Sequence, residues 1–301
     1  MSSGHTQPNA VKARIANSMG KASILMEALP YIQRFRGKII VIKYGGSTME
    51  DPELRESFAG DVALLAAVGI HPVIVHGGGP QISEAMVKEG ITPEWIEGYR
   101  VTDEATIRVV QRVLIGEINA DIVRMLGDHG AAAIGISGID GGLLIAKAKD
   151  TRLGFVGEVV RVNVDMVRNL LEDGMVPVIA PVARGEVSGV YNTNGDLAAA
   201  AIASALGAQK LVYLTDVEGV YADKDDPSTL IGRLGLSGLR ELLKSITGGM
   251  LPKLESVAEA IDSGVVRAHI LDGRVQHAVL LEIFTREGVG TMITQDGDER
   301  A

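Results

Sequence analysis

The chain has 301 residues, with 29 lysine and arginine against 38 aspartate and glutamate, a formal charge of −9 at pH 7. That balance, without a dense basic stretch, argues against nucleic acid as a partner. Cysteine is absent, which excludes disulfides and Cys-based metal sites, and no apolar run reaches the ~18 residues of a membrane span, so a soluble, cytoplasmic protein without a membrane partner is expected.

Residues 1–10 are polar, lack a signal-peptide core and are expected to form a disordered tail. Residues 11–35 carry a rough apolar stripe (Ile15, Met19, Ile24, Leu25, Leu29, Ile32) that predicts a helix, with Pro30 expected to kink or break it. A helix ahead of the first strand either lies on the body or makes an oligomer contact, and both readings stay open. Strands are predicted at 39–43, 73–76, 132–136, 143–146, 176–180, 211–215 and 266–271. Helical periodicity falls at 53–68, 81–88, 103–128, 164–172, 196–206, 236–243 and 252–263. Such alternation predicts an α/β fold with a mainly parallel sheet covered on both faces, and ligands at the carboxyl ends of its strands.

Two predicted strands end in glycine clusters, Lys43-Tyr44-Gly45-Gly46 and His76-Gly77-Gly78-Gly79. Glycines at a strand-to-helix turn uncover backbone N–H groups at the positive end of a helix, which suits an anion and phosphate above all. Lys43 closes an otherwise apolar strand at the lip of the first cluster; a snorkelling lysine is the bland alternative. Arg100, in Gly98-Tyr99-Arg100-Val101-Thr102-Asp103, precedes a helix expected to be capped by Thr102, and its fork matches a carboxylate. Tyr191-Asn192-Thr193-Asn194-Gly195-Asp196 reads equally well as a helix cap or as amides on a substrate with a carboxylate fixing nearby lysines. In Gly248-Gly249-Met250-Leu251-Pro252-Lys253, Pro252 marks a helix start and puts a cation in the first turn against the helix dipole. A lysine aimed at a phosphate explains that breach. No P-loop, no G-x-G-x-x-G after a strand, no G-x-S-x-G and no H-E-x-x-H is present.

Together the motifs I-K-Y-G-G, V-H-G-G-G-P, G-Y-R-V-T-D, Y-N-T-N-G-D, L-T-D-V-E-G-V-Y and G-G-M-L-P-K resemble the amino acid kinase family, over about residues 28–293. Within it they are similar to the branch acting on N-acetyl-L-glutamate in arginine biosynthesis. The resemblance implies an αβα sandwich of two lobes: a tail and oligomerisation helix over 1–36, an N-acetylglutamate lobe over 37–195 and an ATP lobe over 196–301. It implies that Lys43 and Lys253 stabilise the transferring phosphoryl group and that Asp196 orients them. Gly78, Gly79, Arg100 and Asn192 would bind N-acetylglutamate, with Arg100 on its α-carboxylate. Gly45, Gly46, Thr215, Asp216, Gly219 and Tyr221 would line the nucleotide site, and Mg²⁺ would be held mainly through the phosphates rather than by a protein metal site. The nucleophile would be a γ-carboxylate, ionised at pH 7 with a pKa near ~4.3, so no general base is required.

Arginine-inhibited members carry an extra N-terminal helix that links dimers into a hexameric ring, and Met26-Glu27-Ala28-Leu29-Pro30-Tyr31-Ile32 resembles its end. By the same likeness Tyr31, Lys210, His269, Glu282 and Gly288 would bind arginine, Glu282 gripping the guanidinium. The resemblance also adds a nitrogen-signalling PII protein as a candidate partner. The chain departs from the pattern in a short segment between Ile145 and Gly157 and in Gly195 where alanine is usual. Rivals are other acid kinases of the fold, of which aspartokinase and many glutamate 5-kinases carry a C-terminal regulatory domain that this chain ends too early to hold. A nucleotide- or arginine-sensing binding protein without turnover is the rival from another class, and the two lysines with Asp196 argue against it.

Overall fold

A computed structural model describes residues 8–223, 225–246, 248, 250–285 and 288–298. Helices are α1 (Pro8–Phe35), α2 (Pro52–Ala67), α3 (Gly79–Lys88), α4 (Glu104–Gln111), α5 (Asn119–Asp128), α6 (Asp165–Glu172), α7 (Gly195–Leu206), α8 (Leu236–Leu243), α9 (Met250–Asp262) and α10 (Ala278–Phe284). Strands are β1 (Ile39–Tyr44), β2 (His71–His76), β3 (Trp95–Ile96), β4 (Tyr99–Arg100), β5 (Ala133–Ser137), β6 (Leu144–Ala148), β7 (Val156–Val162) and β8 (Val176–Ala180). Then follow β9 (Val182–Gly185), β10 (Val190–Thr193), β11 (Lys210–Thr215), β12 (Val220–Tyr221), β13 (Leu230–Ile231), β14 (Arg233–Gly235), β15 (Arg267–Asp272) and β16 (Thr291–Thr294).

Eight strands build the central sheet in the order β14-β16-β15-β11-β1-β2-β8-β5. Every neighbouring pair is parallel except β15 with β16. The alternation of β1 explains the layering: Ile40 and Ile42 point into a core shared with α2, α3, α4, α5 and α10, whereas Val41 points into one shared with α6, α7, α8 and α9. Lys43 follows Val41 in that alternation and so emerges on the α7 side. The alanines of α7 let it lie close to the sheet, with Ala198, Ala199 and Ala203 fully buried. The expected αβα sandwich is present. Strands before residue 195 occupy one half of the sheet and those after it the other, with β1 beside β11 at the seam.

Several expectations need correction. The predicted strand at 143–146 becomes β6, which leaves the central sheet and joins β7, β9 and β10 in a small closed four-stranded sheet. Strands β9, β10 and β16 are only four residues long, and β7 mixes its valines with Gly157, Glu158 and Arg161, so none stands out as an apolar run in the sequence. Pro30 does not end α1, which continues to Phe35; it lies close to the C-terminal turn, and the buried Phe35 anchors the residues beyond it. Of the expected disordered tail, residues 1–7 lie outside the described residues and Pro8 already begins α1. The predicted helix over 103–128 is one run interrupted by a π-helical turn, Arg112–Ile118. Its cap is Asp103, whose carboxylate accepts from the Thr106 N–H at 2.7 Å, whereas the Thr102 hydroxyl donates to the Arg100 carbonyl. Among the described residues no helix is long and apolar enough to cross a membrane.

Candidate active site

Three charged side chains meet where β1, α7 and α9 converge. Lys43 Nζ lies 3.1 Å from Asp196 Oδ1, and Lys253 Nζ lies 2.8 Å from Asp196 Oδ2. Burial alone would push the Asp196 carboxyl up, but the two ammonium groups outweigh it and hold it at about 2. The cluster therefore carries one surplus positive charge at pH 7. Asp196 is placed by Asn194, whose side-chain oxygen caps α7 by accepting from the N–H groups of Asp196 and Leu197 at 2.8 and 3.2 Å. Lys253 sits in the first turn of α9 as expected, although that helix starts at Met250, two residues before Pro252. Gly249 of the same motif lies outside the described residues. Lys253 is held from behind by the Tyr213 ring, 4.9 Å away, and Tyr213 in turn shares a 2.8 Å hydrogen bond with Ser256.

Glycine is required in the first cluster for space and for conformation. A Cβ on Gly45 would come within 2.8 Å of Lys43 Nζ. Gly46 has φ +72°, and a Cβ there would come within 2.6 Å of Asp216 Oδ1, which brings Asp216 to the same turn. Thr215 ends β11 beside it. Tyr221 is more peripheral, its hydroxyl donating to Glu218 Oε2 at 2.7 Å on the surface. Gly219 owes its lack of a side chain to packing, since a Cβ would lie 2.6 Å from Thr291 Oγ1.

Next to the lysines a cavity of about 160 Å³ is lined by Gly77, Gly78, Gly79, Arg100, Asn192 and Gly195, with Ile82, Leu114 and Val156 as apolar wall. Arg100 is 5% exposed, and no carboxylate among the described residues pairs with it. Its Nη2 donates to the Gly79 carbonyl at 2.8 Å and to Ser83 Oγ at 2.7 Å. Trp95 stacks over the guanidinium, 4.4 Å from ring centroid to Cζ. A buried cation held by neutral partners is a receptor for an anion. Asn192 Nδ2 lies 3.4 Å from Thr102 Oγ1 at the opposite wall. Gly195 tolerates the alanine it replaces: a Cβ would stand 3.4 Å from the His76 carbonyl oxygen and 3.7 Å from Lys43 Cε. The short segment after Ile145 forms the β6–β7 pair of the small closed sheet, and Val156 from it reaches the cavity.

All five residues of the expected effector set line a second, larger cavity of about 900 Å³ between the end of α1, α10, β15 and β16. Lys210 Nζ lies 3.2 Å from His269 Nε2, and His269 Nδ1 lies 2.7 Å from Glu282 Oε1. The ammonium can only donate, so Nε2 accepts and Nδ1 carries the proton. Burial pulls Lys210 down to about 8 and His269 to about 4, leaving the imidazole neutral at pH 7. Glu282 Oε2 accepts the Val289 N–H at 2.9 Å. Gly288, at φ +63°, leaves room for that carboxylate: a Cβ would sit 2.6 Å from it. Glu27 adds negative charge to the cavity, and Arg34, Arg233 and Arg267 add positive charge.

Among the described residues, no three His, Cys, Asp or Glu side chains gather as a metal cage.

Residues 38–272 match the family model described as the amino acid kinase family. An acetylglutamate kinase of Thermoanaerobacter pseudethanolicus is 48% identical over 290 residues, covering 95% of this chain and 97% of the relative. Another, of Aquifex aeolicus, is 51% identical over 293 residues, covering 91% and 97%. Among solved structures, N-acetylglutamate synthase from Neisseria gonorrhoeae, complexed with coenzyme A and N-acetyl-glutamate, superposes with TM-score 0.81 at 28% identity, covering 92% of this chain and 64% of that one.

Proposed function

The chain belongs to the amino acid kinase family, and from that premise we propose that it transfers the γ-phosphoryl group of ATP to the γ-carboxylate of N-acetyl-L-glutamate, a step of arginine biosynthesis. The observation that carries this reading is the Lys43–Asp196–Lys253 cluster opening onto a cavity that holds an unpaired buried arginine. Arg100 takes the α-carboxylate and Asn192 the N-acetyl amide, while Gly78 and Gly79 let the backbone approach the chain. The γ-carboxylate is left facing the lysines. One of its oxygens attacks the γ-phosphorus, the bond from phosphorus to the bridging oxygen breaks, and ADP leaves as an anion. No proton moves, so alignment and charge cover suffice, and the surplus positive charge of the cluster supplies the cover.

Gly45 and Gly46, with Thr215, Asp216, Gly219 and Tyr221, form the nucleotide side. The residues present would fit a Mg²⁺ held mainly by the nucleotide's phosphates, with Asp216 as a neighbouring carboxylate, and such an ion would supply charge neutralisation at the phosphate oxygens. The division into an acyl-amino-acid half (37–195) and a nucleotide half (196–301) is supported by the seam between β1 and β11.

The larger cavity is the seat of arginine as inhibitor. A zwitterion with a cationic tail needs both signs of charge, and Glu282 and Glu27 face Lys210, Arg34, Arg233 and Arg267 across it. Tyr31 comes from α1, so occupation of the cavity reaches the helix whose Met19, Ile24, Leu25 and Met26 are each at least 65% exposed. That apolar stretch is the contact through which α1 joins a second copy toward a hexamer.

The test is ATP consumption with the acyl phosphate trapped as hydroxamate, comparing N-acetylglutamate, glutamate and aspartate. Product with N-acetylglutamate far above the other two is expected; equal rates with free glutamate would overturn the substrate.

A further inference from the structure

His76 and Asn119 take no part in the transfer step, yet they are among the most deeply buried polar side chains, 0% and 4% exposed. His76 is the last residue of β2 and immediately precedes Gly77-Gly78-Gly79. Its Nδ1 lies 2.9 Å from the Gly77 carbonyl oxygen, which can only accept, so Nδ1 carries the proton and Nε2 is the acceptor. Nε2 receives Asn119 Nδ2 at 3.2 Å. The same amide reaches the Val178 carbonyl of β8 at 2.9 Å and the Ile136 carbonyl of β5 at 3.3 Å, so Asn119 links β2 to β8 and β5. Its oxygen lies over the bare α-carbon of Gly135, where a Cβ would come within 2.0 Å.

Asn119 is placed by the π turn. Its N–H reaches back to the Leu114 carbonyl, the bond that closes that turn. Leu114 and Ile118, from the same turn, press on Gly78, where a Cβ would stand 2.7 and 2.4 Å from their methyl groups. A π turn inside an α-helix is rare and gathers at functional positions. Here it delivers one polar contact to His76 and two apolar contacts to Gly78. Burial holds the His76 imidazole at about 4, so the ring stays neutral at pH 7 and each nitrogen keeps its role.

Resting on the acylamino-acid reading of the adjacent cavity, we propose that His76 and Asn119 are positioning residues for the substrate: His76 fixes the Gly77 peptide and Asn119 fixes His76. The N–H groups of Gly78 and Gly79, which have no acceptor within α3, are thereby held for the bound acid. Two substitutions separate the bonds. His76→Asn keeps a donor near the Gly77 carbonyl and gives up Asn119; His76→Gln keeps an acceptor for Asn119 and gives up Gly77.

Steady-state kinetics of His76→Gln should show KM for N-acetylglutamate raised about tenfold, with KM for ATP within about twofold, and His76→Asn within about threefold of the parent in both. A ring that only stabilises the fold would lower Tm in both variants and leave the two KM values together, which would overturn the proposal. If neither variant folds, nitrogen-15 NMR of the histidine-labelled parent decides. A protonated Nδ1 with a bare Nε2 supports it; the opposite or an averaged tautomer overturns it. A parent that does not phosphorylate N-acetylglutamate overturns the functional reading itself, whereas a parent that does, with unchanged KM in His76→Gln, overturns only the positioning role.

Discussion

Two buried charge clusters lie on the two sides of β1 and β11, and they differ by one charge. Lys43, Asp196 and Lys253 set two cations around one anion. Lys210, His269 and Glu282 set one cation and one anion at either end of a neutral imidazole. The first is left short of negative charge, which on the proposed reading a phosphate would supply. The second is internally balanced, and on the same reading it would take a ligand that offers a carboxylate to the lysine and a cation to the glutamate. On that reading, the same three-member geometry serves as a transfer site or a sensing site according to whether its middle residue is charged.

The largest expected effect comes from removing the surplus. Lys43→Ala should lower kcat by about 10²–10³-fold while the far-ultraviolet spectrum stays that of the parent, as measured by the hydroxamate assay and circular dichroism. A smaller loss is expected at the stacked ring. Trp95→Ala should raise KM for N-acetylglutamate about tenfold and Trp95→Phe should restore it, because the ring face holds the guanidinium fork. Since Trp95 is the single tryptophan, its fluorescence in the parent should also respond to N-acetylglutamate.

At the balanced cluster the effects are thermal. Arginine should raise Tm of the parent by a few degrees, and Glu282→Gln should abolish the rise in a melting scan. Lys210 loses its proton near 8 in the folded protein, so arginine affinity should fall as pH rises through about 8, which calorimetry at pH 7 and 9 would detect. The smallest effect concerns two buried imidazoles, His76 beside the glycine loop and His269 in the second cluster. His76 and His269 have folded values near 4, below the ordinary 6.5, so the unfolded chain binds more protons between those limits. Stability should therefore be full above about 6.5 and decline as pH falls toward 4, seen as a falling denaturant midpoint.

The first cluster was legible because its residues break local rules: Lys43 ends an apolar strand, and Lys253 opposes a helix dipole. Arg100 and the glycine loop announced themselves by residue type. The role of Trp95 was hidden, since a stacked ring five positions from the arginine it covers has no sequence signature. His76 and Asn119 were hidden for a different reason: they stand 43 positions apart in sequence, and only the π turn, which periodicity blends into one long helix, brings them together. The cap at Asp103 was assigned to Thr102 because both are good cap residues, and the strand-like pairing of Thr102 with Gly154 decided between them. The larger cavity draws on residues from α1, β11, β15 and α10, which no local pattern unites; only likeness to a family does.

The most direct measurement is single-turnover transfer from ATP to N-acetylglutamate in the parent and in Lys253→Ala, with binding of each substrate followed separately. Both substrates should bind the variant while transfer falls at least about a hundredfold. Transfer within about threefold of the parent, in a variant that binds both, would contradict the assignment of the surplus charge to the phosphoryl group.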